Sequence, residues 1–188
     1  MDYEYFQVTL GRERAAQKEL AGHLYAQAST RAVFAPLLGF ASDQALVLTV
    51  AGGDIAGAPG VVASERHRLS PTLRPTDDKP PLPGGIYVHN WFTIDGEAVE
   101  EFVRLSGEAW PDFERRFETK IHGLFLAQEN AADRASGARR LLLMTRYRDL
   151  GEWQVSRDPT SDAMQVFLRR RELTRVSLAR ACVLMPRG

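Results

Sequence analysis

The chain has 188 residues, 44% of them hydrophobic, and its 24 basic and 24 acidic side chains cancel. That is an ordinary globular composition, enough for one large domain or two small ones. Disordered, collagen-like and coiled-coil classes are excluded.

In chain order, residues 3–10 form an aromatic and β-branched run ended by Gly11, which reads as a strand running into a turn. Over residues 12–27 the less polar positions Ala16, Leu20, His23, Leu24 and Gln27 recur at three and four residues, which predicts a helix. The apolar runs 32–40 and 45–50, separated by Ala41-Ser42-Asp43-Gln44, predict a hairpin. Five of the ten prolines then fall between Pro71 and Pro83, and Gly84-Gly85 closes the stretch, which marks a linker. After it the order repeats. Residues 86–92 predict a strand, and Val99, Phe102, Val103, Ser106, Ala109, Trp110, Phe113 and Phe117 trace an amphipathic helix in which Pro111 should cause a kink or a restart. Residues 121–128 and 141–147 are two more strands, joined by a polar loop. Asp149 followed by Glu152 starts a short helix, residues 161–171 form another, and 176–184 close the chain as a strand.

A sheet with helices on one face must cover its other face, and two such sheets can cover each other. The fold class read from the sequence is therefore α+β: two tandem ferredoxin-like β-α-β-β-(α)-β units whose antiparallel sheets pack into one pseudo-dimeric α+β barrel. The halves are residues 1–76 and 85–188, with the proline-rich linker at 77–84. Leu141-Leu142-Leu143-Met144, apolar at consecutive positions, reads as a strand buried on both faces.

The second half carries Gly85-Ile86-Tyr87, Tyr147-Arg148-Asp149-Leu150 and Arg157-Asp158-Pro159, and in these strings and its element order it resembles a NIPSNAP domain of the dimeric α+β barrel superfamily. The first half, with Arg66-His67-Arg68-Leu69 running into Pro71-Thr72-Leu73-Arg74-Pro75, resembles a diverged second copy. The resemblance implies the barrel fold and a small-molecule cavity. The stretch between Leu150 and Asp158 is shorter and poorer in arginine than the family pattern, and His89-Asn90-Trp91 replaces the polar residues of its first strand.

A barrel of two sheets leaves a cleft lined by alternate strand positions. Tyr87, His89 and Trp91 share one face of their strand; His122 lies on the next strand and Arg146 on the one after. The functional reading makes His89 or His122 a proton acceptor or donor near neutral pH and gives Arg146 an anionic or enolate oxygen. Tyr87, Trp91, Trp110 and Tyr147 would line the ligand. The structural reading makes the tryptophans core, solvates His89 and pairs Arg146 with an acid. A second centre, Arg66-His67-Arg68 with Arg74, either binds a carboxylate or phosphate or lies over the barrel rim with its charges in water. The sequence is expected to fold over the rim there.

Signatures for dinucleotide, P-loop, α/β-hydrolase and zincin sites are missing, no Cys or His pairs sit at zinc spacings, and Cys182 is the single cysteine. The expected cofactor is none and the expected metal none, with haem on His89 or His122 as an alternative carried by the superfamily resemblance. From residue 139 onward eleven arginines face five acids, but three of these arginines complement a helix C-terminus and no stacking aromatics accompany them, so nucleic acid is not an expected partner. The acidic start lacks a secretory leader and no apolar segment approaches the ~20 residues that span a bilayer, so the expected location is cytoplasmic. The function read from the sequence is binding of a small apolar or aromatic molecule in the barrel, as a cofactor-independent monooxygenase or isomerase-like enzyme. The alternative is a non-catalytic interaction module. Oligomeric state is either a monomer with an internal pseudo-dimer or a homodimer.

Overall fold

The computed structural model describes residues 2–13, 15–37, 43–50 and 52–187. Eight strands alternate with five helices: β1 (Tyr3–Leu10), α1 (Ala16–Tyr25), β2 (Thr30–Pro36), β3 (Gln44–Val50), β4 (Val61–Pro71), β5 (Ile86–Asp95), α2 (Val99–Arg116), β6 (Thr119–Ala127), α3 (Ala131–Ser136), β7 (Ala138–Tyr147), α4 (Leu150–Val155), α5 (Asp162–Glu172) and β8 (Thr174–Leu184). The strands close a barrel in the order β1-β3-β2-β8-β5-β7-β6-β4, and every pair is antiparallel. Taken separately, the halves run β4-β1-β3-β2 and β8-β5-β7-β6, the same order twice. This is the α+β barrel of two ferredoxin-like sheets expected from the sequence.

The sheets meet at two short seams. Phe34, Ala35 and Pro36 of β2 pair with Leu184, Val183 and Cys182 of β8, and Leu69, Ser70 and Pro71 of β4 pair with Ala127, Leu126 and Phe125 of β6. Among the described residues β4 and β8 keep only one ladder partner each beyond the seams, β1 and β5, and that end of the barrel forms a mouth. The other end is covered by the proline-rich segment 72–84, which forms a strap. Tyr3 Oη donates to the Asp77 carbonyl (3.0 Å), Tyr87 Oη to the Leu82 carbonyl (2.6 Å) and Arg146 Nε to the Gly84 carbonyl (2.9 Å). Gly123, on β6 beneath the strap, has no side chain because a Cβ there would lie 2.7 Å from the Phe125 ring and 2.8 Å from Pro75 Cδ.

Period-two alternation sorts the side chains into three apolar clusters. Tyr3, Tyr5, Phe34, Leu48, Tyr87, Phe125, Leu142 and Met144 fill the barrel interior. Phe102, Leu105, Trp110 and Phe113 of α2 pack with Ala163 and Val166 of α5 on the outer face of the second sheet, against Ile94, Leu124, Leu141 and Leu143. On the first sheet α1 performs this task, with Leu20 and Leu24 against Phe6, Val33 and Val47, joined by Ile55 and Ala58 of the connection between β3 and β4. Leu141 to Met144 are all buried, as their unbroken apolar run requires of a strand covered on both sides.

Several local expectations need correction. Helix α1 starts at Ala16 instead of residue 12, because Ala15 takes a left-handed φ of 76° that no regular helix admits. Helix α2 runs through Pro111 without restarting. The polar loop after β6 contains α3. Of the hairpin turn predicted at 41–44, residues 41 and 42 lie outside the described residues, and Gln44 already belongs to β3. Residues 61–71 do not lie over the rim but form strand β4: Arg66 and Arg68 are exposed, whereas His67 and Leu69 alternate inward and are buried. Arg170 does not merely cap α5; it is buried over the rings of Phe92, Phe102 and Phe167, with Nη1 donating to Ser106 Oγ at 3.0 Å.

Helix α3 is held by a reciprocal cap: Asn130 Oδ1 accepts the Asp133 N–H (2.8 Å) while Asp133 Oδ2 accepts the Asn130 N–H (3.0 Å). Asn130→Ala is expected to cost about 1 kcal/mol, a fall of roughly 2–4 °C in Tm for a chain of this size. A thermal melt followed by circular dichroism checks this.

Candidate functional site

The inward positions of β5 are Tyr87, His89 and Trp91, one near the strap, one at the waist and one toward the mouth. Nothing polar is exposed at the waist. His89 is wholly buried, its Nδ1 shares a 2.9 Å hydrogen bond with Tyr5 Oη, and the rings of Phe34, Tyr5 and Tyr87 lie 4.5, 5.7 and 6.5 Å from its own. Burial, with smaller contributions from His122 and Arg180, pushes the His89 pKa down to about 3, so the imidazole is neutral at pH 7. Its Nε2 is buried without a hydrogen-bond partner. An unpartnered polar atom in a packed waist is costly.

The strap end is different. A cavity of about 340 Å³ lies between the strap and strands β5, β6 and β7, and Tyr87, His122 and Arg146 all line it. His122 reaches it because β6 carries a bulge: Ile121 pairs with Thr145 and Gly123 with Met144, leaving His122 as the extra residue. Burial pushes the His122 pKa down to about 4 against the opposing effect of Asp77, and its Nε2 has no partner. Lys120 and Arg74 share the cavity wall with Arg146 and Lys79, while Asp77 is the one acid there. Its carboxyl is itself held below the usual range by hydrogen bonds from the Lys79 side chain and N–H. Leu73, Pro75, Pro80, Leu82 and Ile121 supply apolar wall. A neutral imidazole, a phenol and a surplus of positive charge around an apolar cavity suit a small molecule with one acidic oxygen.

At the mouth, Trp91 lies beside His67, with ring centroids 4.9 Å apart, and beneath the Arg140 guanidinium at 5.8 Å. Burial lowers the His67 pKa. Of the residues singled out in the sequence, then, Tyr87, His122 and Arg146 converge, His89 stands behind them in the waist and Trp91 faces the other end. Trp110 and Tyr147 do not join them. Both lie on the helix-covered outer face, Trp110 under the Arg74 guanidinium (5.2 Å) and Tyr147 with its Oη accepting from Arg157 Nη2 (2.9 Å). Sequence reasoning missed Tyr5, Gln7 and Arg180, and it placed His67 in a second centre with Arg66, Arg68 and Arg74 instead of beside Trp91. The alternation Glu65, His67, Leu69 against Arg66, Arg68, Ser70 was the available signal for β4, obscured because its outward residues are charged.

Fold and cavity together define an α+β barrel protein with a pocket of mixed polar and apolar lining. No protein-family model and no curated protein matches the sequence. Solved structures do match. An anthrone oxidase-like protein aligns over 98% of this chain and 92% of its own at 10% identity, with a TM-score of 0.65. A provisionally assigned monooxygenase from Lactobacillus acidophilus aligns over 100% and 96% at 10% identity (TM-score 0.59), and a heme-degrading enzyme from Listeria monocytogenes over 96% and 98% at 11% (TM-score 0.52). Similarity at these identities establishes the shared fold. Among the described residues no helix is long and apolar enough to cross a membrane, and no three His, Cys, Asp or Glu side chains are grouped to hold a metal.

Proposed function

We propose that the cavity under the strap binds a small aromatic or apolar molecule with an acidic oxygen, and that the protein acts on it by proton transfer or cofactor-independent oxygenation. The observation that carries this reading is His122, whose buried, unpartnered Nε2 stands in one cavity with Arg146 and Tyr87. The neutral imidazole takes the proton of a phenolic or enolic group, and Arg146 and Lys120 hold the resulting anion. Returning that proton to a carbon of the anion instead of its oxygen is an isomerisation. Oxygenation of such an anion requires dioxygen as oxidant and no external reductant: the substrate CH₂ becomes C=O, one oxygen atom is incorporated and the other leaves as water with the two methylene hydrogens. The monooxygenase and anthrone oxidase-like neighbours favour this chemistry over a purely structural role.

Haem fits poorly. The rings of Tyr5, Phe34 and Tyr87 leave a macrocycle no approach to His89, and the His122 cavity is at the small end of the roughly 300–1,000 Å³ usual for ligand sites. We read the NIPSNAP-like strings and the repeated strand order as traces of a duplicated domain, with copies at 1–76 and 85–188, and the buried Cys182 as suited to a reducing cytoplasm.

A thermal-shift screen with aromatic acids, polycyclic phenols, fatty acids and haem tests the reading. A ligand at a hundred times its Kd stabilises the folded state by about 2.7 kcal/mol. His122→Ala and Arg146→Ala are each expected to weaken binding of the responding aromatic ligand about tenfold, with melting of the free protein little changed. Equal affinity in both variants overturns the proposal in favour of an interaction module.

A further inference from the structure

At the mouth of the barrel a hydrogen-bond chain runs between two arginines and cannot be satisfied by its own members. Arg180 Nη1 contacts Gln7 Oε1 at 2.9 Å, Gln7 Nε2 contacts His67 Nε2 at 3.1 Å, and Arg140 Nη1 contacts His67 Nδ1 at 3.3 Å. Guanidinium groups only donate, while the amide and a neutral imidazole each bring one donor and one acceptor to the chain. With donors fixed at both ends and two such relays between them, one of the three contacts is always donor against donor, whichever amide rotamer and tautomer are chosen. Glu65 Oε1 lies 3.4 Å from His67 Nε2 and is the acid within reach. If it takes the Nε2 proton, the mismatch moves to Gln7, next to Arg180.

The two cations differ in charge balance. Both carboxylate oxygens of Asp133 accept from Arg140 Nε at 3.0 Å, whereas Arg180 forms no ion pair among the described residues. An anionic acceptor at Arg180 and Gln7 removes the mismatch and neutralises the cation at once. A cavity of about 320 Å³ is lined there by Gln7, Leu46, Glu65 and Arg180. Beyond Arg180 the same face of β8 carries Leu178 and Val176, in register with Trp91 and Thr93, and these two side chains are 66% and 48% exposed. Exposed apolar groups on an inward-facing strand surface complete an amphipathic site.

We propose that the barrel mouth binds a monocarboxylate, its headgroup on Arg180 and the Gln7 amide and its alkyl or aryl tail along Leu178, Val176 and Trp91. Glu65 on the rim disfavours a second negative charge. The site is separate from the strap cavity, with the packed waist around His89 between them.

Octanoate and octan-1-ol are the probes, titrated calorimetrically into the purified full chain and into its Arg180→Gln, Leu178→Asp and His122→Ala variants. The expected result is saturable octanoate binding, with the alcohol and both mouth variants weaker by about tenfold or more and His122→Ala within twofold of the parent. Leu178 is surface-exposed, so Leu178→Asp keeps the test valid if Arg180→Gln melts early. Absence of saturable octanoate binding, equal affinity for the alcohol, or retention of affinity in the folded mouth variants overturns the proposal. Loss only in His122→Ala also overturns it, by placing the carboxylate under the strap.

Discussion

Between pH 6.5 and pH 5 the protein is expected to lose stability by up to about 1.4 kcal/mol per pH unit for each buried histidine. In the unfolded chain an imidazole takes up its proton near pH 6.5, whereas His89 in the barrel resists until about pH 3 and His122 until about pH 4. The unfolded state therefore binds more protons throughout this window. The stabilisation is fully present above pH 6.5 and is lost as the pH falls toward the folded-state values. His67, also lowered by burial, acts with the same sign. For wholly buried His89 the full shift corresponds to a loss on the order of 5 kcal/mol, a large part of the 5–15 kcal/mol typical of a domain. Carboxylates held below their usual range, such as Glu114, on which hydrogen bonds from Arg74, Ile121 N–H and Lys120 outweigh the effect of burial, contribute only at lower pH. Urea unfolding at half-unit pH steps measures the slope. His89→Gln, which cannot titrate, should flatten it by about one proton; an unchanged slope would show that His89 does not govern acid sensitivity.

Phe34→Ala is expected to cost about 3–5 kcal/mol. Phe34 is fully buried, with its ring centroid 4.5 Å from that of His89 and 5.1 Å from that of Tyr87, in a barrel whose interior diameter is fixed by eight hydrogen-bonded strands. The strands cannot collapse onto the space the ring leaves, so a cavity persists. It also opens beside the His89 ring, whose Nε2 has no hydrogen-bond partner. Water entering there raises the pKa of His89, and the variant should be both less stable at pH 7 and less sensitive to acid than its parent. Urea midpoints at pH 7 and pH 5 separate the two effects, and a pH slope as steep as the parent's would mean that the cavity stays dry.

The order of elements was legible in the sequence because each is stamped by a local period. Tyr3–Leu10 emerges as β1 with the boundaries read from its aromatic run, and the α2 stripe from Val99 to Phe113 faces the sheet as its spacing requires. The cap of α4 was legible too: Asp149 accepts from the N–H of Glu152 as short-range chemistry predicts. Strand β4 was obscured, since it is half-exposed and its outward residues are arginines, a pattern that local reading assigns to solvated chain.

The candidate site was readable in part for the same reason. Alternation placed Tyr87, His89 and Trp91 on one face of β5, but a single strand cannot show which end of a barrel each reaches or which face is covered by helices. Tyr147 and Arg146 are neighbours in sequence, yet one packs under α2 and α5 and the other lines the strap cavity, because the pleat sends them to opposite sides. His122 joins Arg146 through a bulge in β6, and Arg180 meets Gln7 across 173 residues of sequence separation. The sequence by itself determined the elements other than β4 and α3, their order and the two-sheet barrel, which follow from local periodicity and the need to cover apolar faces. The tertiary structure alone decided which polar groups share a cavity, because closure of the barrel and strand register are set by contacts between residues far apart in the chain.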